Sequence, residues 1–187
     1  MKARQTINQK CLLVATVLLL VSVAPVFGQS YSSDVGHVEF LSSVPLHSFV
    51  GSSDVLTGVI NLTDASVDFY IDLESLRTGN RKRDKDMRKT LETDEYPFAE
   101  FYGSLDSTVD SLLSEPQPVK VSGDFTIHGV SQKIDVSGTL QFVDGGVLVR
   151  AEFIILLDDF EITPPRLLVF KVDQEQRISL SSTLERQ

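Results

Sequence analysis

The chain has 187 residues, 26 acidic against 17 basic, and a net charge of −9 with its histidines neutral. That balance excludes general nucleic-acid binding, which needs a basic footprint. One cysteine and three scattered histidines exclude a disulfide framework and make a poor zinc site.

The N-terminus reads as a targeting segment. Lys2, Arg4 and Lys10 form a basic region, Leu12 to Val23 is an apolar run, and Val26-Phe27-Gly28 places Val26 and Gly28 at the −3 and −1 positions of a cut after Gly28. This is the layout of a cleaved secretory signal peptide over residues 1–28. The apolar run falls short of the about 20 residues that span a bilayer. Cys11 opens the run, whereas a lipoprotein acceptor would close it. The expected mature chain, 29–187, is one domain by length, carries 14 basic and 26 acidic residues for a net −12, and has no cysteine. Its core alone must hold it together. The expected location is the periplasm or the medium.

From Val35 onward the dominant period is two. Strands are expected near 35–43, 46–51 and 55–62. "SVDFYIDL" (66–73) then alternates Val67, Phe69, Ile71 and Leu73 against polar neighbours. Between Thr78 and Glu92 the alternation stops and helix formers take over. Asn80 is a fitting N-cap, Met87 and Leu91 lie on one face, and Asp84–Arg88 is a favourable spacing, so a short helix is expected over 81–91. It connects two strands by a crossover, placed over one end of a closed sheet. Further strands are expected at 98–105, at "VKVSGDFTI" (119–127), "KIDVSGTLQF" (133–142) and "VLVRAEFIILL" (147–157), and at 176–184. "HGVSQ" (128–132) and "DGG" (144–146) are hairpin signals. The pattern is all-β, a sandwich or a barrel.

The inward positions carry the functional signal. Gly58, Gly103, Gly123, Gly138 and Ala151 fall mid-strand among bulky residues. Glycines there mean either sharp bends or space left open. The expected walls of such a space are Val67, Phe69, Ile71, Phe101, Val121, Phe125, Ile134, Val136, Leu140, Phe142, Val149 and Phe153.

The basic residues are clustered. Arg77, Arg81, Lys82, Arg83, Lys85, Arg88 and Lys89 against Asp84 and Asp86 give +5 over thirteen residues. Such a run is either a solvated helix paired with nearby carboxylates or a mouth that meets an anionic head group or membrane surface. Arg77, Arg81 and Arg83 are the candidate head-group contacts. The Ser75-Leu76-x-Thr78 stretch reads as a turn and capping element. His128 reads as a turn residue bonded to local backbone. In "LDDFE" (157–161), read as strand, Asp158 and Asp159 point to opposite faces and do not pair for hydrolysis. No nucleophile motif, phosphate-cradling loop or dinucleotide fingerprint occurs, so the expectation is no enzyme, no catalytic residue, no metal and no cofactor.

The order "DLESLRTGNRKRD", "YPFAEF", "VSGDFTIHGVSQKIDV", "DDFEITPP" resembles the YceI-like family of exported polyisoprenoid-binding proteins. The resemblance runs from about Val35 to Leu184. It implies a lipocalin-like, extended antiparallel barrel of eight strands around a long apolar channel. The ligand it implies is an isoprenoid or similar long-chain amphiphilic lipid, and it supplies no catalytic residues. Transient contact with a membrane surface and a homodimer are compatible with it. The chain departs from the family pattern at "FEITPPRLLVF", where two prolines and an apolar run replace a polar approach to the last strand.

Overall fold

Inward apolar residues alternating with polar ones make eight strands that close on themselves. The computed structural model describes residues 29–44, 47–164, 166–167 and 170–187. The targeting segment over 1–28 lies outside the described residues. The strands are β1 (Ser30–Val44), β2 (His47–Asn61), β3 (Ser66–Asp72), β4 (Phe98–Leu105), β5 (Gln117–Ile127), β6 (Val130–Val143), β7 (Gly146–Leu156) and β8 (Glu175–Arg186). Each pairs antiparallel with its sequence neighbour, and β1 pairs with β8 to close the barrel. The all-β barrel expected from the sequence is therefore the observed fold. A two-stranded ladder, 166–167 with 170–171, stands apart from it.

Helix α1 (Arg81–Leu91) occupies the residues expected of it. Asn80 Oδ1 accepts from the backbone N–H groups of Lys82 (3.0 Å) and Arg83 (3.2 Å), satisfying two donors that the first helical turn leaves open. Glu92 ends the helix in the left-handed region at φ 50°. Among the described residues no helix is long and apolar enough to cross a membrane.

Two expectations about the strands need correction. The stretches 46–51 and 55–62 are one strand, β2. Val38 pairs with Ser53 but Gly36 pairs with Leu56, so β2 carries an extra residue and its inward parity switches there. A bulge of this kind interrupts alternation without interrupting the strand. "LDDFE" is not strand either, because Leu157–Phe160 forms a 3₁₀ turn that buries Leu157 and Phe160 and exposes both aspartates.

Chain direction sorts the connections. The C-terminal ends of β1, β3, β5 and β7 and the whole of 73–97 fall at one end, which α1 covers. At the opposite end Tyr31 stands edge-on to Phe142 (6.3 Å between ring centres), and Val147 and Leu184 are fully buried. Those side chains are the floor of the barrel.

The mid-strand glycines serve close approach, and the space above most of them is taken. Gly58 pairs with Phe69, whose ring lies where a Cβ on Gly58 would come within 2.1 Å. Gly103 and Gly123 pair with each other, and a Cβ on either would meet the opposite backbone at about 2.5 Å. A ring folded over a strand glycine replaces the packing that the glycine lacks.

Candidate functional site

Between the floor and α1 lies an apolar cavity of about 240 Å³. A single water takes roughly 10–15 Å³ on the same measure, so this is far more than a packing defect. The barrel wall contributes Val67, Phe69, Ile71, Phe101, Val121, Phe125, Val136, Leu140, Val149 and Phe153 to it. These are ten of the twelve residues expected from the inward pattern. The other two stand elsewhere. Ile134 packs against the core without reaching the cavity, and Phe142 belongs to the floor beside Tyr31. Inward parity is shared by every level of a strand: Phe142 falls below Leu140, the lowest β6 residue of the lining, whereas Ile134 stands nearer the roofed end than Val136, and level does not account for it.

The helix supplies the roof. Arg83, Asp86, Met87, Thr90 and Leu91 line the cavity, the i, i+3, i+4, i+7, i+8 set that makes one helical face. The segment after β7 adds Leu157 and Ile162, and Phe160 beneath it stands edge-on to Phe125 (5.5 Å). The start of the "FEITPPRLLVF" departure thus lies at the roofed end, with Phe160 and Ile162 each 1% exposed, while Pro165, Leu168 and Val169 lie outside the described residues. Sequence reasoning missed Leu56, Ile60, Leu76, Met87 and Val172 as lining. Alternation could have found Leu56 and Ile60. Met87 was placed on the correct helical face but not assigned to the site.

A polar network fixes the roof to the barrel, and Thr78 is its centre. Its hydroxyl accepts from Arg83 Nε (2.9 Å) and donates to Asp84 Oδ1 (2.5 Å). Its N–H donates to the same oxygen (2.8 Å), and its carbonyl accepts from Arg83 Nη2 (2.9 Å). Arg77 is joined to β2 by two backbone hydrogen bonds to Ser52, each 2.9 Å. Ser75 Oγ lies 2.8 Å from Ser53 Oγ. The Ser75-Leu76-x-Thr78 stretch is a turn and capping element, as its composition suggested.

Asp84 is the buried member, 6% exposed. Burial pushes its carboxyl up, but the hydrogen bonds from the Thr78 hydroxyl and N–H and the charges of Arg88 and Arg77 outweigh it and hold the group below the usual carboxylate range. Asp84→Ala is expected to cost about 2–3 kcal/mol of stability at neutral pH, the scale of a hydrogen-bonded buried charge. Because the folded value is depressed, that contribution is present in full above the unfolded value near 3.9 and is lost as pH falls through the lower folded value. Urea unfolding of both proteins at pH 7 and at pH 3 checks this. A gap between them that fails to narrow at pH 3 contradicts it.

The three candidate head-group arginines are not brought together. Arg83 lines the cavity, its guanidinium 4.3 Å over the Phe49 ring. Arg77 directs Nη1 to the carbonyls of Glu74 (2.5 Å) and Leu76 (2.8 Å). Arg81 is exposed in the first helical turn, outside the cavity lining. Much of the remaining positive charge pairs locally. Lys82 meets Asp86 at 2.7 Å, and Arg88 Nε lies 3.0 Å from Glu74 Oε2 as an ion pair without an aligned hydrogen bond. Arg88 therefore reaches Glu74, not the Asp84 carboxylate expected from helical spacing.

His128 also departs from its expected role. With Gly129 it forms the two-residue β5–β6 turn, at φ 56° and 74°. Its Nδ1 lies 3.2 Å from the Phe160 carbonyl oxygen, 32 residues away, and its Nε2 lies 3.4 Å from Glu92. It ties the β5–β6 turn to the roof instead of bonding its own local backbone. Among the described residues no cluster of His, Cys, Asp and Glu could hold a metal ion.

Residues 31–184 match the family model of the YceI-like domain. No curated protein matches the chain. Among solved structures, the chain is similar to a polyisoprenoid binding domain from Saccharophagus degradans implicated in plant cell wall breakdown, at 23% identity and a TM-score of 0.73 over 86% of this chain and 99% of that one. It is also similar to Burkholderia cenocepacia BcnA, at 16% identity and a TM-score of 0.66 over 80% and 95% of the two chains. A Campylobacter jejuni YCEI protein follows at 19% identity and a TM-score of 0.54, covering 71% and 83%. At these identities the shared property is the fold.

Proposed function

The chain belongs to the YceI-like domain family, and from that membership we propose that it is an exported binding protein that holds a polyisoprenoid or similar amphiphilic lipid inside its barrel. Residues 1–28 direct export and are removed, and residues 29–187 act in the periplasm or outside the cell. The observation that carries the reading is the apolar cavity between the floor and α1. Burying roughly 300 Å² of hydrocarbon there is worth about 7 kcal/mol before the cost of association. Sequestration on this scale needs no reaction.

Native mass spectrometry of the exported protein, followed by solvent extraction, tests the proposal. The expected result is a second mass above the polypeptide that disappears on extraction and returns when an isoprenoid is added. A polypeptide mass alone, unchanged by added isoprenoid, would leave a ligand-free interaction module as the better reading.

A further inference from the structure

The outer wall of the barrel carries an aromatic face on β3 and β4. Its outward positions are Asp68, Tyr70 and Asp72 on β3, and Phe98, Glu100 and Tyr102 on β4. The register sets Asp68 beside Tyr102, Tyr70 beside Glu100 and Asp72 beside Phe98. Rings and carboxylates therefore alternate along each strand and across the ladder, where Cβ atoms of such pairs stand about 4.5–5.5 Å apart. Tyr70 and Phe98 are each 43% exposed and Tyr102 64%. The first two brace each other edge-on, 5.9 Å between ring centres. Single exposed apolar side chains are ordinary, whereas aromatic residues gathered on one face mark an interaction surface.

The charge of this face has no counterpart nearby. Strands β1 to β4 contain no lysine or arginine. Among the described residues Asp68, Asp72 and Glu100 enter no ion pair, and only the Asp72 carboxylate takes a hydrogen bond, from the Glu74 N–H (2.8 Å). The Asp124 carboxylate on β5, across from Tyr102, is already met by Lys133 at 3.4 Å. Carboxylates alone make a solvated surface. Rings set between them add a second attraction for a cation, through the negative face of the ring. A guanidinium uses both, stacking on a ring while its donors reach a carboxylate. The barrel is closed and offers no free strand edge, so a partner must be held by side chains and not by backbone pairing. Alternate residues of an extended chain lie about 6.6–6.8 Å apart, the same repeat as the rings and carboxylates along β3 and β4.

We propose that the outer face of β3 and β4 docks an extended, arginine-rich segment of a partner protein, with each guanidinium over a ring and beside the neighbouring carboxylate. The face lies outside the barrel, so this docking does not depend on what the cavity holds.

The mature protein is titrated at low salt into the fluorescein-labelled peptide Gly-Arg-Gly-Arg-Gly-Arg-Gly, read by anisotropy, with the citrulline peptide as the uncharged control. Wild type is expected to bind the arginine peptide and not the citrulline one. Tyr102→Leu should weaken binding about two- to fivefold, whereas Tyr102→Phe stays within about twofold because it keeps the ring. Glu100→Gln should weaken binding by a similar two- to fivefold or so. Glu152→Gln removes the same charge from β7, on the far side of the barrel, and should leave affinity within about 1.5-fold. Equal losses from Glu100→Gln and Glu152→Gln would mean general attraction to an acidic protein, and overturn the proposal. So does a Tyr102→Leu protein that binds as wild type does, or a wild type that ignores the arginine peptide. Capture by phosphatidylcholine vesicles without peptide binding would assign the face to a membrane instead, and equally overturns it.

Discussion

Phe125→Ala is expected to destabilise the protein by about 3–5 kcal/mol, the range for removing a buried aromatic side chain. Phe125 is 7% exposed and stands edge-on to two other rings, Phe153 at 5.6 Å and Phe160 at 5.5 Å between centres. Each such pair adds about 0.5–1.5 kcal/mol beyond the area it buries. Phe160 is the pivot of the 3₁₀ turn that crosses the roofed end, and it is 1% exposed. Losing its partner loosens the roof as well as the wall. Urea unfolding measures the effect, with Tyr102→Ala as the reference. Tyr102 lies on β4 but is 64% exposed, so its removal should stay within about 0.5 kcal/mol. Equal losses from the two would mean that the three rings do not form a packed unit.

How much of this was legible beforehand depended on whether a feature was local. The bounds of α1 were readable because Asn80 caps it and the period changes on both sides. Strand β4, Phe98–Leu105, was readable because Pro97 precedes it and no bulge disturbs its parity. β2 was split in two because its bulge mimics a turn in a pattern of period two. The glycines were ambiguous for a different reason. Whether Gly58 opens space or accepts a ring depends on its partner, and register with Phe69 is a property of the pairing, not of either strand alone. Gln176 is a polar residue in the row that Ile178 and Leu180 continue, and its amide donates to the Asp173 carbonyl at 2.8 Å, a bond that alternation alone does not reveal.

Filling the cavity without unfolding the wall separates binding from stability. Ala151 lines the cavity from β7, with Gly138 of β6 on one side and Leu180 of β8 on the other. Ala151→Phe directs a ring into the open space, over a neighbour that has no side chain. Ligand retention should fall at least tenfold, read as the lipid mass carried through purification and as farnesol affinity afterwards. Stability should hold or rise by about 0.5–2 kcal/mol, the usual gain from filling a cavity. A change of opposite sign in the two readouts is the informative outcome, because general damage to the barrel would lower both. Arg81→Ala supplies the contrast: its side chain is exposed and outside the lining, so retention should stay within about twofold. If Ala151→Phe folds with a ring in the cavity and still carries lipid at wild-type affinity, the ligand does not reside between the floor and α1. In that case the open space there has no part in binding.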